Sequence, residues 1–412
     1  MSDLPPRRAI VLSGGGARGA YEAGTLRYIL EILPEALGHQ PKIDIICGTS
    51  VGAINAAWLA ATIDRPHYCV QRLLDHWTSL RFNQVVQLSY REIWRVVREM
   101  ILNRSQPPDR QSVQHGREGG MLRTSFFDRI IRNEIPFDGI ANNLSSGLID
   151  AVSVTATDII TGRTTAFVQS SSDLPPWTRD ARRVAVAGPL TPAKVLASAA
   201  IPVLFPAVFI NGHWYSDGGL RQNTPISPAL RLGADRVLVV SLKRRTLEER
   251  LAPPEVPLED TTHPNHAFLI GKILDALLLD PVDYDLEVLE RINAILHYGE
   301  EAFKDVDFVD KLNEVIRAHR GQGYRIVEPL RIRPSRDIGT IAAEFAGAQP
   351  DDFWGSFPLR FIANRALDAE GARESDLLSY LLFDGGYAQA LLDMGFRDAS
   401  AAHDNLVSFF SD

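Results

Sequence analysis

The chain has 412 residues, 45% hydrophobic and 23% charged, with a formal net charge of −8. That length and apolar share allow a large core with a smaller appendage; the acidic balance argues against nucleic acid as a partner and against general adsorption to anionic bilayers. Two cysteines, Cys47 and Cys69, exclude a disulfide framework, no metal-ligand spacing surrounds either, and no cofactor is expected.

Along the chain, Ala9-Ile10-Val11-Leu12 reads as a buried strand that turns through Gly14-Gly15-Gly16-Ala17-Arg18-Gly19 into an amphipathic helix beginning near Ala17. Glycines let the backbone approach a ligand closely, and the unpaired N–H groups of the helix start favour negative charge. Ile43 to Cys47 repeats the plan as a second strand, followed by Gly48-Thr49-Ser50-Val51-Gly52 and a small-residue helix. Ser50 falls at the bend. A nucleophile elbow needs glycine on both sides, because the turn is strained and the helix packs close; Gly48 and Gly52 occupy those positions. The pair of motifs suggests a serine hydrolase with a preformed oxyanion hole.

Gly14, Gly16 and Gly19 also spell G-x-G-x-x-G, the dinucleotide fingerprint. The acidic residue expected at the end of the second strand is absent, because that strand runs into Cys47-Gly48-Thr49-Ser50. A nucleotide-binding module stays the alternative from a different class. An ordinary α/β-hydrolase does not fit either. Its elbow follows several strands, and the segment before Ser50 is too short to hold them.

Further on, Tyr90 to Leu102 carries Ile93, Val96, Val97, Met100 and Ile101 on one helical face and Arg91, Arg95 and Arg98 opposite. It reads as a lid or lipid-docking helix, or, as the plainer and preferred reading, a helix packed on the core. Residues 106–120 read as a loop. Ile149 to Ala156 and Thr164 to Val168 read as strands around Thr161-Gly162. Phe205 to Tyr215 reads as a hairpin turning at Asn211-Gly212, ending in Asp217-Gly218-Gly219, where a carboxylate at a strand end can face Ser50. Arg236 to Leu242 completes an alternation of strand and helix in the doubly wound manner. Residues 253–264 read as a linker, Phe268 to Leu279 as an apolar helix, and Arg325 to Ile332 as one strand-like segment among helices. A second D-G-G, Asp384-Gly385-Gly386, sits between two apolar helical stretches and reads as a helix-to-helix turn.

Taken together, the G-G-G-x-R-G turn, the G-T-S-x-G elbow, the D-G-G turn at Asp217, the block Ser198 to Pro206 and Asn223-Thr224-Pro225 resemble the patatin-like phospholipase family over about residues 8 to 242. The resemblance implies an α/β fold with a mostly parallel, doubly wound sheet flanked by helices. It implies Ser50 as nucleophile and Asp217 as general base, a dyad without histidine. Oxyanion donors would come from the amides of Gly14, Gly15, Gly16 and Val51, while Arg18 would bind a lipid phosphate or anchor its loop. The expected substrate is a phospholipid or related acyl lipid, with a small-ester or triacylglycerol esterase as the alternative.

Three regions are expected: a catalytic core at 8–242, a linker and helical region at 243–330, and a mainly helical extension of open role at 331–412. Residues 45–63 and 195–216 lack Asp, Glu, Lys and Arg, but glycines, prolines and a turn break both. Four apolar residues after Arg7-Arg8 are too few for a signal segment. A cytoplasmic enzyme, with peripheral membrane contact left open, is the expectation.

Overall fold

The computed structural model describes residues 5–82, 128–174, 177, 182–202, 205–244, 281–304, 307–320, 323–354 and 375–411. Expectations for 90–102, 106–120, 253–264 and 268–279 fall outside them.

A nine-stranded sheet organises the chain, in the order β5-β4-β3-β2-β1-β8-β9, with β7 and β6 added beside β3. At its centre, β1 (Arg8–Leu12) lies parallel to β2 (Ile45–Thr49) and β8 (Arg236–Val240). Its five residues are all buried, which is why Ala9 to Leu12 form an unbroken apolar run rather than an alternating one. The expected helix near Ala17 starts as a tight 3-10 turn, Gly16–Gly19, before α1 (Ala20–Arg27) and α2 (Leu33–Leu37). After β2 come α3 (Val51–Thr62) and α4 (Pro66–Thr78), and α5 (Phe137–Ser145) precedes β3 (Ala151–Asp158).

The register along β3 brings the site together. β2 pairs with β3 as far as Thr49 opposite Thr155, and then ends. The next β3 residue, Ala156, pairs instead with Asp217, the last residue of β7 (His213–Asp217). The residue after β2 and the last residue of β7 therefore meet where one ladder gives way to the other. β6 (Val208–Ile210) completes the hairpin. Its turn residues Asn211 and Gly212 both have positive φ, 49° and 89°, the twist that suits a two-residue hairpin loop.

The sheet is mixed. β4 (Thr164–Ser170) and β7 run antiparallel to β3, while β5 (Arg183–Ala187) pairs parallel with β4. β5 has no counterpart in the sequence reading. It is half-exposed and follows a polar, proline-containing stretch, and its apolar run, Val184 to Ala187, is made of small residues.

The C-terminal third shares this core. After α6 (Pro192–Ser198), α7 (Ile226–Arg231), α8 (Pro281–Phe303) and α9 (Phe308–Arg320), β9 (Glu328–Ile332) joins the sheet parallel to β8. α10 (Ile338–Gly347), α11 (Ser375–Leu381), α12 (Gly385–Ala401) and α13 (His403–Phe410) follow. Tyr387, Leu391, Leu392, Met394 and Phe410 are buried in one cluster with Ile10, Leu12 and Ile46, each large apolar side chain stabilising by roughly 1.5–3 kcal/mol. The Arg8 guanidinium donates to the carbonyls of Phe409 (3.2 Å) and Ser411 (2.9 Å), fastening the tail to β1. No helix among the described residues is long and apolar enough to cross a membrane.

Candidate active site

Ser50 stands between β2 and α3 with φ 55° and ψ −126°, outside the conformations that L-residues ordinarily adopt. The surroundings enforce this bend. A Cβ on Gly48 would lie 2.2 Å from the Gly52 carbonyl oxygen, and one on Gly52 2.5 Å from that of Leu12. Only glycines let α3 settle this closely onto the strands. The Ser50 N–H donates to Ser198 Oγ (3.0 Å), which in turn donates to the Thr155 carbonyl on β3 (2.6 Å).

Ser50 Oγ donates to Asp217 Oδ2 at 2.6 Å, across 167 positions of sequence. Asp217 is fixed on every side. Its Oδ1 accepts the Gly219 N–H (2.7 Å), its carbonyl accepts Thr157 Oγ1 (2.9 Å), and its own N–H donates to the Ala200 carbonyl (2.8 Å). Thr49, Thr155 and the Gln222 carbonyl knit the ends of β2 and β3 to the segment after Asp217. Asp217 is wholly buried. Desolvation lifts its pKa to about 7, with hydrogen bonds from Ser50 and Gly219 opposing the rise. A carboxylate of that pKa is half ionised near neutrality and basic enough to accept a proton from an attacking hydroxyl.

The glycine loop lies over Ser50, clamped by Asn223: the Gly14 N–H donates to the Asn223 carbonyl (3.0 Å), and Asn223 Nδ2 donates to the Gly14 carbonyl (3.0 Å). This corrects the expectation for Gly14, whose amide is already occupied and serves to hold the loop. The amides of Gly15, Gly16 and Val51 take no backbone partner among the described residues. Arg18 is buried, its Nε donating to Ser379 Oγ (2.8 Å) and its guanidinium lying 4.1 Å from the centre of the Tyr380 ring. These contacts tie the glycine loop to the segment at Ser379 and Tyr380. Beneath the loop, Asn55 Nδ2 donates to the Gly19 carbonyl and to Glu22, tying α1 to α3.

An apolar cavity opens beside Ser50, walled by Val51, Ile54, Leu196, Ile201, Phe205 and Phe383. Its free space is about 30 Å³, room for roughly two or three water-sized groups. A larger polar groove of about 930 Å³, lined by Arg7, Asp235 and Arg325, includes neither Ser50 nor Asp217.

Asp384 caps α12, accepting the N–H groups of Gly386 (2.9 Å) and Phe82 (3.4 Å), and sits between α11 and α12 as the sequence reading expected. Among the described residues no histidine bonds to Ser50 or Asp217; His213 pairs with Asp158 and His403 with Tyr28. Sequence reasoning missed Ser198 as the partner of the elbow and the reach of Ser379, Tyr380 and Phe383 into the site. Ser198 lay inside a block already singled out; the tail residues carry no local signal.

A mixed α/β sheet with a serine on a strained strand-to-helix turn, bonded to a buried carboxylate beneath a glycine loop, defines the class of a hydrolase built on an α/β sheet but distinct from the ordinary α/β-hydrolase. Residues 10–230, just over half the chain, match the family of patatin-like phospholipases. The protein belongs to that family. It is 28% identical over 225 residues to a cGAMP-activated phospholipase of Pseudomonas aeruginosa, a match covering 55% of this chain and 56% of that protein. Among solved structures it is similar to VipD from Legionella pneumophila (TM-score 0.30, 12% identity, covering 98% of this chain and 92% of that one). It is also similar to human GIVD cytosolic phospholipase A2 (TM-score 0.41, 12% identity, covering 100% of this chain and 60% of that one).

Proposed function

We propose that this protein is a serine acyl hydrolase that cleaves ester bonds of phospholipids or related acyl lipids through a Ser50–Asp217 dyad. The observation that carries the reading is the 2.6 Å hydrogen bond from Ser50 Oγ to Asp217 Oδ2 at a strained elbow beside an apolar cavity.

In this mechanism the acyl chain enters the cavity and places its ester carbonyl over Ser50. Asp217 accepts the hydroxyl proton as Oγ attacks, and the forming oxyanion is held by the amides of Gly15, Gly16 and Val51. One such donor is worth about 3 kcal/mol. Collapse expels the alcohol, which takes the proton back from Asp217. Water, deprotonated by the same carboxylate, then hydrolyses the acyl-Ser50 ester. A buried base suits this cycle, because desolvation raises proton affinity without a histidine relay.

The nucleotide-binding alternative is disfavoured by the same geometry. The loop sits over a serine and a carboxylate, and a phosphate there would face Asp217. A small-ester or triacylglycerol esterase would use identical chemistry and differ in substrate profile. Peripheral membrane contact and a cytoplasmic location remain part of the proposal.

A fluorophosphonate probe tests the reading. Wild type should be labelled covalently and should release fatty acid from phospholipid vesicles, and Ser50→Ala should do neither. Labelling that persists in Ser50→Ala would remove Ser50 as the nucleophile.

A further inference from the structure

We propose that Phe383, delivered by the C-terminal segment, is the residue that sets acyl-chain preference at the Ser50 site. The inference rests on the acyl hydrolase reading above.

Phe383 lies outside the region that matches the family, yet it walls the cavity beside Ser50 and is 4% exposed. Phe205, the other aromatic wall, is only half-buried. Phe383 is thus the more deeply buried of the two aromatic walls. Several of the other walls are committed to the catalytic geometry. Val51 and Ile54 belong to the helix that follows Ser50, and the 199–201 turn accepts the N–H of Asp217 through the Ala200 carbonyl. Phe383 comes instead from the turn between α11 and α12.

Its backbone is held firmly against the glycine loop. Arg18 reaches from that loop to Ser379 and Tyr380, four and three residues before it. Gly16 has φ +57°, and a Cβ there would stand 2.4 Å from the Tyr380 carbonyl oxygen, so loop and tail touch backbone to backbone. On the other side, Asp384 caps α12 and the Gly385 N–H donates to the Leu80 carbonyl at 2.8 Å. A ring fixed at both flanks is a hard wall. With about 30 Å³ free beside Ser50, that wall decides how many methylenes fit, and hydrophobic pockets discriminate by such increments. Truncating the ring leaves a phenyl-sized apolar void, the kind of space that takes up apolar groups.

The test compares p-nitrophenyl butyrate, octanoate and dodecanoate as substrates for wild type, Phe383→Ala and Phe383→Leu, with thermal melts of each. The octanoate-to-butyrate ratio of kcat/KM should rise about tenfold in Phe383→Ala and less in Phe383→Leu. A ratio that stays at the wild-type value in both variants overturns the proposal. Should Phe383→Ala fail to fold, Phe383→Leu decides alone: a raised ratio supports the proposal and an unmoved one overturns it. A wild type that hydrolyses none of the esters and resists fluorophosphonate would defeat the hydrolase reading itself, whereas an active wild type with unmoved variants defeats only the role of Phe383.

Discussion

The Ser198 hydroxyl accepts the backbone N–H of Ser50 at 3.0 Å and donates its own proton to the Thr155 carbonyl at 2.6 Å. One side chain thus ties the strained elbow to the strand that carries the partner of Asp217. Ser198→Ala strands a buried donor and a buried acceptor, at a cost of about 1–3 kcal/mol. It should lower the melting temperature and reduce kcat on a soluble ester more than it raises KM, because the pocket walls are untouched and the hydroxyl's aim is not. Ser198→Thr, which keeps the hydroxyl, should recover part of both. Steady-state kinetics with thermal melts check this; a variant losing stability with kcat intact would limit Ser198 to a structural role.

Burial of Asp217 makes a coupled prediction about rate and stability. With its pKa near 7, kcat/KM should fall about tenfold per pH unit below neutrality as the base is protonated, and level off above it. For stability the sign is opposite to that of an ion-paired carboxylate. The folded state binds the Asp217 proton more tightly than the unfolded chain, so Asp217 costs nothing below pH ~4, and its cost grows as pH rises to about 7. The full cost is about 4 kcal/mol, from roughly three pH units of difference. Asp217→Asn should therefore be inactive yet more stable than wild type at pH 8, the gain shrinking as pH falls toward 4. Denaturant melts of both proteins across pH measure it, and a stability gain over wild type that is no larger at pH 8 than at pH 4 would contradict the raised pKa.

The physics of strands and tight turns explains which parts were legible in sequence. β1, β2 and β8 announce themselves as apolar runs because both faces are covered. The elbow is legible because the close approach of Gly52 to Leu12 admits no other residue, and the β6–β7 hairpin because Asn211-Gly212 supplies two positive φ angles. The meeting of Ser50 with Asp217 depends on β7 taking over from β2 along the edge of β3, a register that no local pattern encodes. The approach of Ser379 and Tyr380 to Arg18 crosses more than 350 positions. Such contacts are set by the packing of α11 and α12, whose sequences read only as apolar helices.

The two D-G-G turns should separate cleanly under substitution. Asp384 acts as a helix cap, accepting from Gly386 and Phe82, and asparagine is about as good a cap as aspartate. Asp384→Asn should retain ester hydrolysis and lose well under 1 kcal/mol, while Asp384→Ala should lose about 0.5–2 kcal/mol. Asp217→Asn should abolish turnover. Loss of activity in Asp384→Asn with a native melting curve would mean that the tail aspartate has a chemical role.

Arg18 lets structure and substrate recognition be told apart. Its guanidinium is buried, bonded to Ser379 and stacked 4.1 Å from the Tyr380 ring centre. Lysine keeps the charge but loses the planar group that stacks and the Nε donor, forfeiting about 2 kcal/mol of desolvated cation–π attraction. Arg18→Lys should therefore destabilise the protein and loosen the loop that carries the Gly15 and Gly16 amides. Because the oxyanion forms on every ester, kcat should fall by the same factor on a neutral p-nitrophenyl ester and on a phospholipid. Were Arg18 a phosphate ligand, the loss would fall on the phospholipid alone, and side-by-side kinetics on the two substrates give the answer.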